Sequence, residues 1–308
     1  MIDRSGASAL IPEAVSNILL KDLENTSAAM TLFRRVPMGT KVNRLPILAA
    51  LPSAYWVDGD TGLKGTTGAN WSNKYLTAEE LAAIVPIPEA LLDDTSYDIW
   101  GAIRPLLADA IARKLDDAVF FGNSKPASFP TAIIPDAVSR SHKVVRGTNA
   151  ANKGGVAQDI SDAFALVEAD GFTVSGIAAN TRYKGLLRSA RDNNGVKLME
   201  VNPGSAYGVT IQYPMEGLWP TGLSKPEMVV GDYSHGILGV RQDITYKILT
   251  EATLYDDTGQ VLYALAQQDM VALRVVARFG FQVDNTINYA NTNEATRYPW
   301  AFVESPAS

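Results

Sequence analysis

The residues that could carry out catalysis are few and lack the spacing that catalysis needs. The chain has two histidines, His142 and His235, in turn-rich stretches that we predict to be exposed, and they lack the paired spacing of a metal site. It has no cysteine, which excludes a disulfide framework, a thiolate metal site and a cysteine nucleophile. No Gly-x-Ser-x-Gly segment marks a serine nucleophile, and the stretch 147–155 lacks the Gly-Lys-Ser/Thr of a phosphate-binding loop.

Three adjacent aspartate pairs are the remaining candidates for acid–base chemistry: Asp93-Asp94, Asp116-Asp117 and Asp256-Asp257. Because neighbouring residues do not share a helix face, such pairs are typical of caps, turns and solvated edges. The segment Asp256-Asp257-Thr258-Gly259 predicts a hairpin turn, since it lacks the spacing of a calcium loop. We therefore predict no catalytic residue, no cofactor and no metal. An enzyme with an unrecognised site stays open as the alternative from another class.

The composition is that of a folded, weakly acidic chain. The 308 residues are 46% apolar and 19% charged, and this length suggests roughly two domains. Proteins that bind nucleic acid through its phosphates normally carry an excess of lysine and arginine, so the net charge of -6 disfavours specific binding to DNA or RNA. The start of the chain does not resemble a secretory signal, and no apolar run approaches the length of a membrane span.

An extended arm and a hairpin are predicted in the first quarter of the chain. Residues 10–50 alternate short apolar patches with prolines, which predicts an extended arm with one short helix near residues 14–23. Within residues 53–76, four glycines recur every third residue among Asp, Thr, Asn and Ser, which favours a long hairpin tip: Gly59, Gly62, Gly65 and Gly68. Large aromatics at its edges are unusual for a loop that stays in water: Tyr55, Trp56, Trp71 and Tyr75. Either these rings fold back onto their own domain, or the hairpin projects and lies on a neighbouring subunit.

The longest helix is predicted after a strand at residues 79–87. Thr95 can cap it, and an apolar stripe at helical spacing continues towards residue 121: Ile99, Ile103, Leu106, Leu107, Ala110, Ile111 and Leu115. Pro105 removes one backbone donor and clashes with the carbonyl of Gly101, so we expect a kink or a late start of the helix there. A second unit is predicted from helices at 158–170 and 181–189 (capped by Asn180), a strand at 174–178, mostly short strands through 248, and a strand pair or run at 261–283.

A series of short segments runs along nearly the whole chain in a recognisable order. The series begins with Gly6-Ala7-Ser8-Ala9-Leu10-Ile11-Pro12-Glu13, and the long helix is flanked by Pro88-Glu89-Ala90-Leu91-Leu92-Asp93-Asp94 and Asp117-Ala118-Val119-Phe120-Phe121-Gly122-Asn123. Later members are Arg191-Asp192-Asn193-Asn194-Gly195, Glu216-Gly217-Leu218-Trp219-Pro220, Gly231-Asp232-Tyr233-Ser234 with Gly239-Val240-Arg241, and residues 274–281 followed by Trp300-Ala301-Phe302-Val303. Their order and spacing resemble the major capsid proteins of tailed bacteriophages, the family with the Hong Kong 97 fold.

This resemblance implies an α+β, Hong Kong 97-like capsid fold in five parts. They are an N-terminal arm (1–52), an extended, protruding β-hairpin loop (53–78), a peripheral domain with a long spine helix and sheet (79–124), an axial domain (125–240), and return strands of the peripheral domain with a C-terminal tail (241–308). The implied function is that of a major capsid protein. It would self-assemble into pentamers and hexamers of an icosahedral phage head, in the virion, after assembly in the host cytoplasm.

The same resemblance implies which partners surround the subunit. Packaged double-stranded DNA would be contacted non-specifically, and portal, scaffolding and decoration proteins are further partners. Because the mature-like arm begins near Met1, we expect scaffolding to be a separate protein or absent. An encapsulin-like protein nanocompartment shell shares the fold and remains the closest alternative.

Contacts between subunits are expected at the hairpin and the arm. The hairpin residues are Tyr55, Trp56, Asp58, Lys64, Trp71, Lys74 and Tyr75, and the arm residues are Phe33, Arg34 and Arg35. The kink at Gly101 and Pro105 has two interpretations. It is either a static bend that wraps the helix around the sheet, or an element that switches between bent and straighter forms when the shell expands.

Overall fold

The fold is given by a computed structural model that describes residues 27–54, 56–57, 66–90, 99–150, 154–191, 194, 196–197, 204–214, 217–256 and 258–307. Several predicted features lie outside these residues. They are the short helix at 14–23, the Thr95 cap, most of the turn at 191–195, and the hairpin residues Tyr55, Asp58 and Lys64.

The described residues form a mixed structure of helices and strands. The helices are α1 (Ala28–Leu32), α2 (Ile99–Asp116), α3 (Ile133–Ser139), α4 (Gly155–Ala169) and α5 (Tyr183–Ser189), and a π-helical turn (Asp117–Phe121) extends α2. The strands are β1 (Arg34–Pro37), β2 (Val42–Ala50), β3 (Asn70–Thr77), β4 (Glu79–Pro88), β5 (Lys143–Val145), β6 (Gly176–Ala179), β7 (Ser205–Ala206), β8 (Val209–Gln212), β9 (Pro226–Gly231), β10 (Gly236–Leu249), β11 (Thr253–Tyr255), β12 (Val261–Ala264), β13 (Met270–Val283) and β14 (Trp300–Glu304).

Helix α2 confirms the longest predicted helix and its end. Leu107, Ile111 and Leu115 recur every four residues and are buried, so they form the face that packs on the core. Leu106 is 65% exposed although the predicted stripe included it, because each residue turns the helix by about 100° and carries Leu106 off that face. Gly122 ends the helical run with a φ of 79°, a left-handed conformation that glycine adopts without a Cβ penalty.

The first sheet contains the long strands and the predicted strand before α2. Its order is β1-β10-β13-β4, with β1 parallel to β10 and the other pairs antiparallel. Along β13, Val275, Ala277, Phe279 and Phe281 belong to the larger core, together with buried residues of α1 and α2. Since alternate residues of a strand face opposite sides, the residues between them lie on the other face of the sheet.

The second sheet is built around the C-terminal strand. Its order is β5-β14-β9-β6-β8-β7, so β14 lies between β5 and β9. Residues 300–304, which the prediction placed in the part that ends with the C-terminal tail, pair with the strands at residues 143–145 and 226–231. Helix α4 packs on this sheet through Ile160, Ala163 and Val167, which are buried in a second core.

The hairpin is longer than the sequence suggested. Strand β2 pairs with β3 in antiparallel register from Val42↔Thr77 to Ala50↔Asn70, so the first strand begins within the range that had been assigned to the arm. Pro46 lies in β2 opposite Asn73. A proline is tolerated there because, among the described strands, β2 has a sheet neighbour on one side only, which leaves its other edge without ladder hydrogen bonds to them.

Candidate assembly surfaces

Two facing glycines of the first sheet accommodate the base of the hairpin around Leu76, which we call the hairpin root. Gly239 of β10 and Gly280 of β13 are register partners, and the Leu76 side chain of β3 lies over them, fully buried with Met38. A Cβ at Gly239 would lie 2.3 Å from Met38 Sδ and 2.9 Å from Leu76 Cδ2. The missing side chains therefore create the space that the hairpin root fills.

Three side chains hold the hairpin to the end of β13 and to the segment that follows it. Lys74 Nζ donates to the Val283 carbonyl at 3.0 Å, and Gln282 Nε2 donates to the Tyr75 carbonyl at 3.0 Å. Tyr289 donates its hydroxyl proton to the Pro52 carbonyl at 2.8 Å. Burial lowers the pKa of the Lys74 amine, and the nearby carboxylates of Glu294 and Asp284 oppose that shift. The predicted contact residue Lys74 thus bonds within its own subunit at the hairpin base.

The hairpin presents aromatic side chains to solvent. Trp56 is fully exposed, Trp71 is 68% exposed and Tyr75 is 57% exposed. The three described rings therefore do not fold back onto their own domain, while Tyr55 lies outside the described residues. Large aromatics left in water are characteristic of interaction surfaces, because burying them against a partner releases substantial apolar area.

The arm residues divide into one buried ring and two exposed cations. Phe33 was predicted to contact a neighbour, but it is 4% exposed, and its ring centroid lies 5.2 Å from that of Tyr233 and 5.6 Å from that of Phe281. It therefore stabilises its own subunit, in a space that Gly236 leaves open for its ring. Arg34 and Arg35 are exposed on β1. The predicted contact of the arm with a neighbour therefore depends on these two cations.

Asp116 is buried, where the sequence predicted a cap, a turn or a solvated edge. Its carboxylate is fully inaccessible and accepts hydrogen bonds from Ser27 Oγ at 2.6 Å, Ala28 N at 2.9 Å and Ala29 N at 3.0 Å. It thereby supplies acceptors for the backbone donors that the first turn of α1 leaves free. The carboxylate ties α1 to the end of α2. No local pattern could show this, because the donors are separated from Asp116 by most of a hundred residues in sequence.

The stability of the subunit should depend on pH through Asp116. Burial raises the pKa of this carboxyl to about 6, while its three hydrogen bonds act in the opposite direction. The folded chain then holds the proton more tightly than the unfolded chain, so stability is greatest below a pH of about 4 and falls as the pH rises through 6. A shift of about two pKa units corresponds to about 3 kcal/mol.

We therefore expect the free energy of unfolding to increase when the pH is lowered from 7 to 5. The increase should be absent from Asp116→Asn, because an amide does not titrate. Urea unfolding of both proteins at the two pH values measures the difference. An equal pH response in the two proteins would show that other groups are responsible.

The two histidines have structural contacts and form no catalytic arrangement. His142 was predicted to be exposed but is buried, with Nε2 3.2 Å from Asp170 Oδ2 and Nδ1 3.2 Å from the Trp300 carbonyl. Asp170 also accepts a hydrogen bond from the Tyr298 amide at 2.7 Å. The His142–Asp170 pair therefore stabilises the position of the C-terminal strand. His235 is partly buried and bonds through Nδ1 to the Asp284 carbonyl at 2.8 Å. The described part of the chain holds no cluster of potential metal ligands.

The fold and its surfaces define a structural subunit with a projecting aromatic hairpin. Residues 7–287 match the phage capsid family, so the chain belongs to that family. It is 28% identical over 288 residues to the major capsid protein of Staphylococcus phage 80alpha, covering 92% of this chain and 84% of that protein. Solved structures from two Mycobacterium phages are also similar. The one from phage Cain is 32% identical with a TM-score of 0.80, covering 100% of this chain and 99% of that one, and the one from phage Bobi is 34% identical with a TM-score of 0.80, covering 100% of both.

These relatives confirm the predicted resemblance and the structural class. The chain is a phage capsid protein, a component of the virion and not an enzyme. Among the described helices, none is long and apolar enough to cross a membrane.

Proposed function

We propose that this chain is the repeating subunit of an icosahedral phage head. It has the Hong Kong 97 fold, in which α2 is the spine helix. It self-assembles into pentamers and hexamers and encloses double-stranded DNA, which it contacts non-specifically, since its net charge of -6 disfavours specific binding to the DNA phosphates. Portal, scaffolding and decoration proteins complete the head, which assembles in the host cytoplasm. The relatives, which are phage capsid proteins, favour this function over an encapsulin-like shell.

The observation that carries the proposal is the combination of a fixed root and an exposed hairpin. Leu76 and Lys74 hold the base to its own subunit, while Trp56 and Trp71 remain in water. Because β2 and β3 are paired and held at their base, these strands dock on a neighbour with a smaller loss of conformational entropy than a free loop. Arg34 and Arg35 add a second contact, from the arm. Gly101 and Pro105 are both exposed on α2. We keep both interpretations of the kink expected there, a static bend and an element that switches when the shell expands.

Deleting residues 59–68 should leave a folded subunit that forms no closed shells. The deletion spares β2, β3 and the Leu76 contact, so circular dichroism and the free energy of unfolding should match the parent chain. Electron microscopy and sedimentation measure assembly. Trp71→Ser, which keeps the loop length, should also reduce shell yield without lowering stability. Normal heads from the deletion variant would contradict the proposal.

A further inference from the structure

Residues 284–299 connect the first sheet to the second, and we call them the crossover segment. The segment follows Val283 at the end of β13 and leads to Trp300 at the start of β14. Its course is fixed by side chains, since the buried Arg297 donates from Nε to Asn285 Oδ1 at 3.1 Å and from Nη2 to the Asn285 carbonyl at 2.9 Å. Asn285 Nδ2 donates back to the Arg297 carbonyl at 3.0 Å. Because a guanidinium is buried only when its donors are bonded, this pair closes the segment into a loop of defined shape.

One side of the crossover segment is attached to the end of α4. Asn291 Nδ2 donates to Asp170 Oδ1 at 2.7 Å, and Asn288 Nδ2 donates to the Asp170 carbonyl at 2.7 Å. The next residue is Gly171, where a Cβ would lie 2.7 Å from Ala290 Cβ. The missing side chain therefore lets the segment pack directly on the backbone that follows α4.

The other side of the segment supports the hairpin at two points. At the first point, Lys74 Nζ donates to the Val283 carbonyl, and at the second, the Tyr289 hydroxyl donates to the Pro52 carbonyl. Lys74 pairs with Leu45, whereas Pro52 lies beyond the end of β2. The strand between the two points, from residue 45 to residue 50, is about 16 Å long at the rise of a strand.

We infer that the crossover segment is a strut that sets the angle of the hairpin relative to the second sheet. The hairpin root at Leu76 fixes one end of the hairpin, and a pair of strands fixed only there could still pivot about it. The contact of Tyr289 with Pro52 prevents this movement. Asn288 and Asn291 hold the strut on α4, so they are positioning residues for a hairpin to which their side chains do not bond. A displacement of the second sheet is thereby transmitted to the hairpin.

A distance measured between two spin labels tests the strut, because the chain has no native cysteine to interfere. Ser72→Cys on β3 and Ala165→Cys on α4 provide exposed attachment sites, and double electron–electron resonance of the unassembled subunit should give one narrow distance distribution. Asn288→Ala combined with Asn291→Ala should broaden it, although neither side chain bonds to the hairpin. The matched control is Asn293→Ala, whose side chain bonds only within the segment, and it should leave the distribution narrow.

The contact at the hairpin end of the strut is tested separately. Tyr289→Phe removes only the hydroxyl of a side chain that is 75% exposed, so the subunit stays folded and the same distribution should broaden. Tyr255→Phe makes the same change at another exposed tyrosine, on β11, and should have no effect.

A second label pair, Ala110→Cys on α2 with Ala165→Cys, reports the position of α4 relative to the first core and should keep a narrow distribution in every variant. If the distance from Ser72 to Ala165 stays narrow in both test variants, the hairpin root alone sets the angle and the proposal is wrong. If both label pairs broaden alike, the segment joins the two sheets without positioning the hairpin, which also overturns it. Both label pairs report on the unassembled subunit, so the outcome does not depend on the function proposed above.

Discussion

Replacing Phe33 with alanine will lower the free energy of unfolding by about 3–5 kcal/mol, the usual cost of removing a buried phenylalanine. The ring is 4% exposed and lies within 6.1 Å, centroid to centroid, of Phe120, Tyr233, Phe281 and Trp300. Its removal leaves a cavity between α1, the first sheet and the C-terminal strand. Because these elements share one core, the neighbouring rings can collapse only partly into the space.

Urea unfolding of the unassembled subunit measures this loss, and Trp56→Ala is the matched control. Trp56 is fully exposed, so its replacement should leave stability unchanged while reducing shell yield. The two variants therefore distinguish Phe33, whose ring stabilises its own subunit, from Trp56, whose ring we propose to contact a neighbouring subunit. A Phe33→Ala protein as stable as its parent would show that the arm is not part of the core.

Replacing Gly280 with valine should displace the hairpin root and prevent the formation of closed shells. A Cβ at this position would lie 2.8 Å from the Thr77 carbonyl oxygen and 3.1 Å from Leu76 Cδ1, so backbone as well as a side chain must move. Overpacking of this kind costs about 1–3 kcal/mol. The effect on assembly should be larger than the effect on stability, because a small rotation at the root is amplified along the paired strands β2 and β3.

The control for this variant is Gly39→Val, since a Cβ at Gly39 has no atom within 4 Å. Gly39→Val should retain both stability and shell assembly, as measured by urea unfolding and electron microscopy. If Gly280→Val behaves like this control, the facing glycines do not determine where the hairpin points.

Features that depend on local periodicity could be predicted from the sequence. Helix α2 and strand β4 follow from apolar spacing over a few turns or residues, and Gly122 marks the helix end through its backbone freedom. Helix α4, predicted at 158–170, is observed at Gly155–Ala169. The composition likewise predicted the hairpin, whereas the exposure of its aromatic rings was one of two interpretations that the sequence left open.

Features that depend on distant partners could not be predicted. The sequence around Asp116 does not show whether this residue faces water or binds α1, because the groups that donate hydrogen bonds to it lie far away in sequence, at Ser27 to Ala29. His142 is buried only because Asp170 and the C-terminal strand meet there. Gly239 and Gly280 have no local signal either, since the reason for their missing side chains is the hairpin root that packs on them.

Electron microscopy of particles formed by the full chain tests the central claim most directly. We predict closed icosahedral shells built from capsomers with five-fold and six-fold symmetry, in which each hairpin lies on an adjacent subunit, and which contain DNA when isolated as heads. A chain that remains monomeric under assembly conditions, or shells that enclose protein cargo and no DNA, would contradict it.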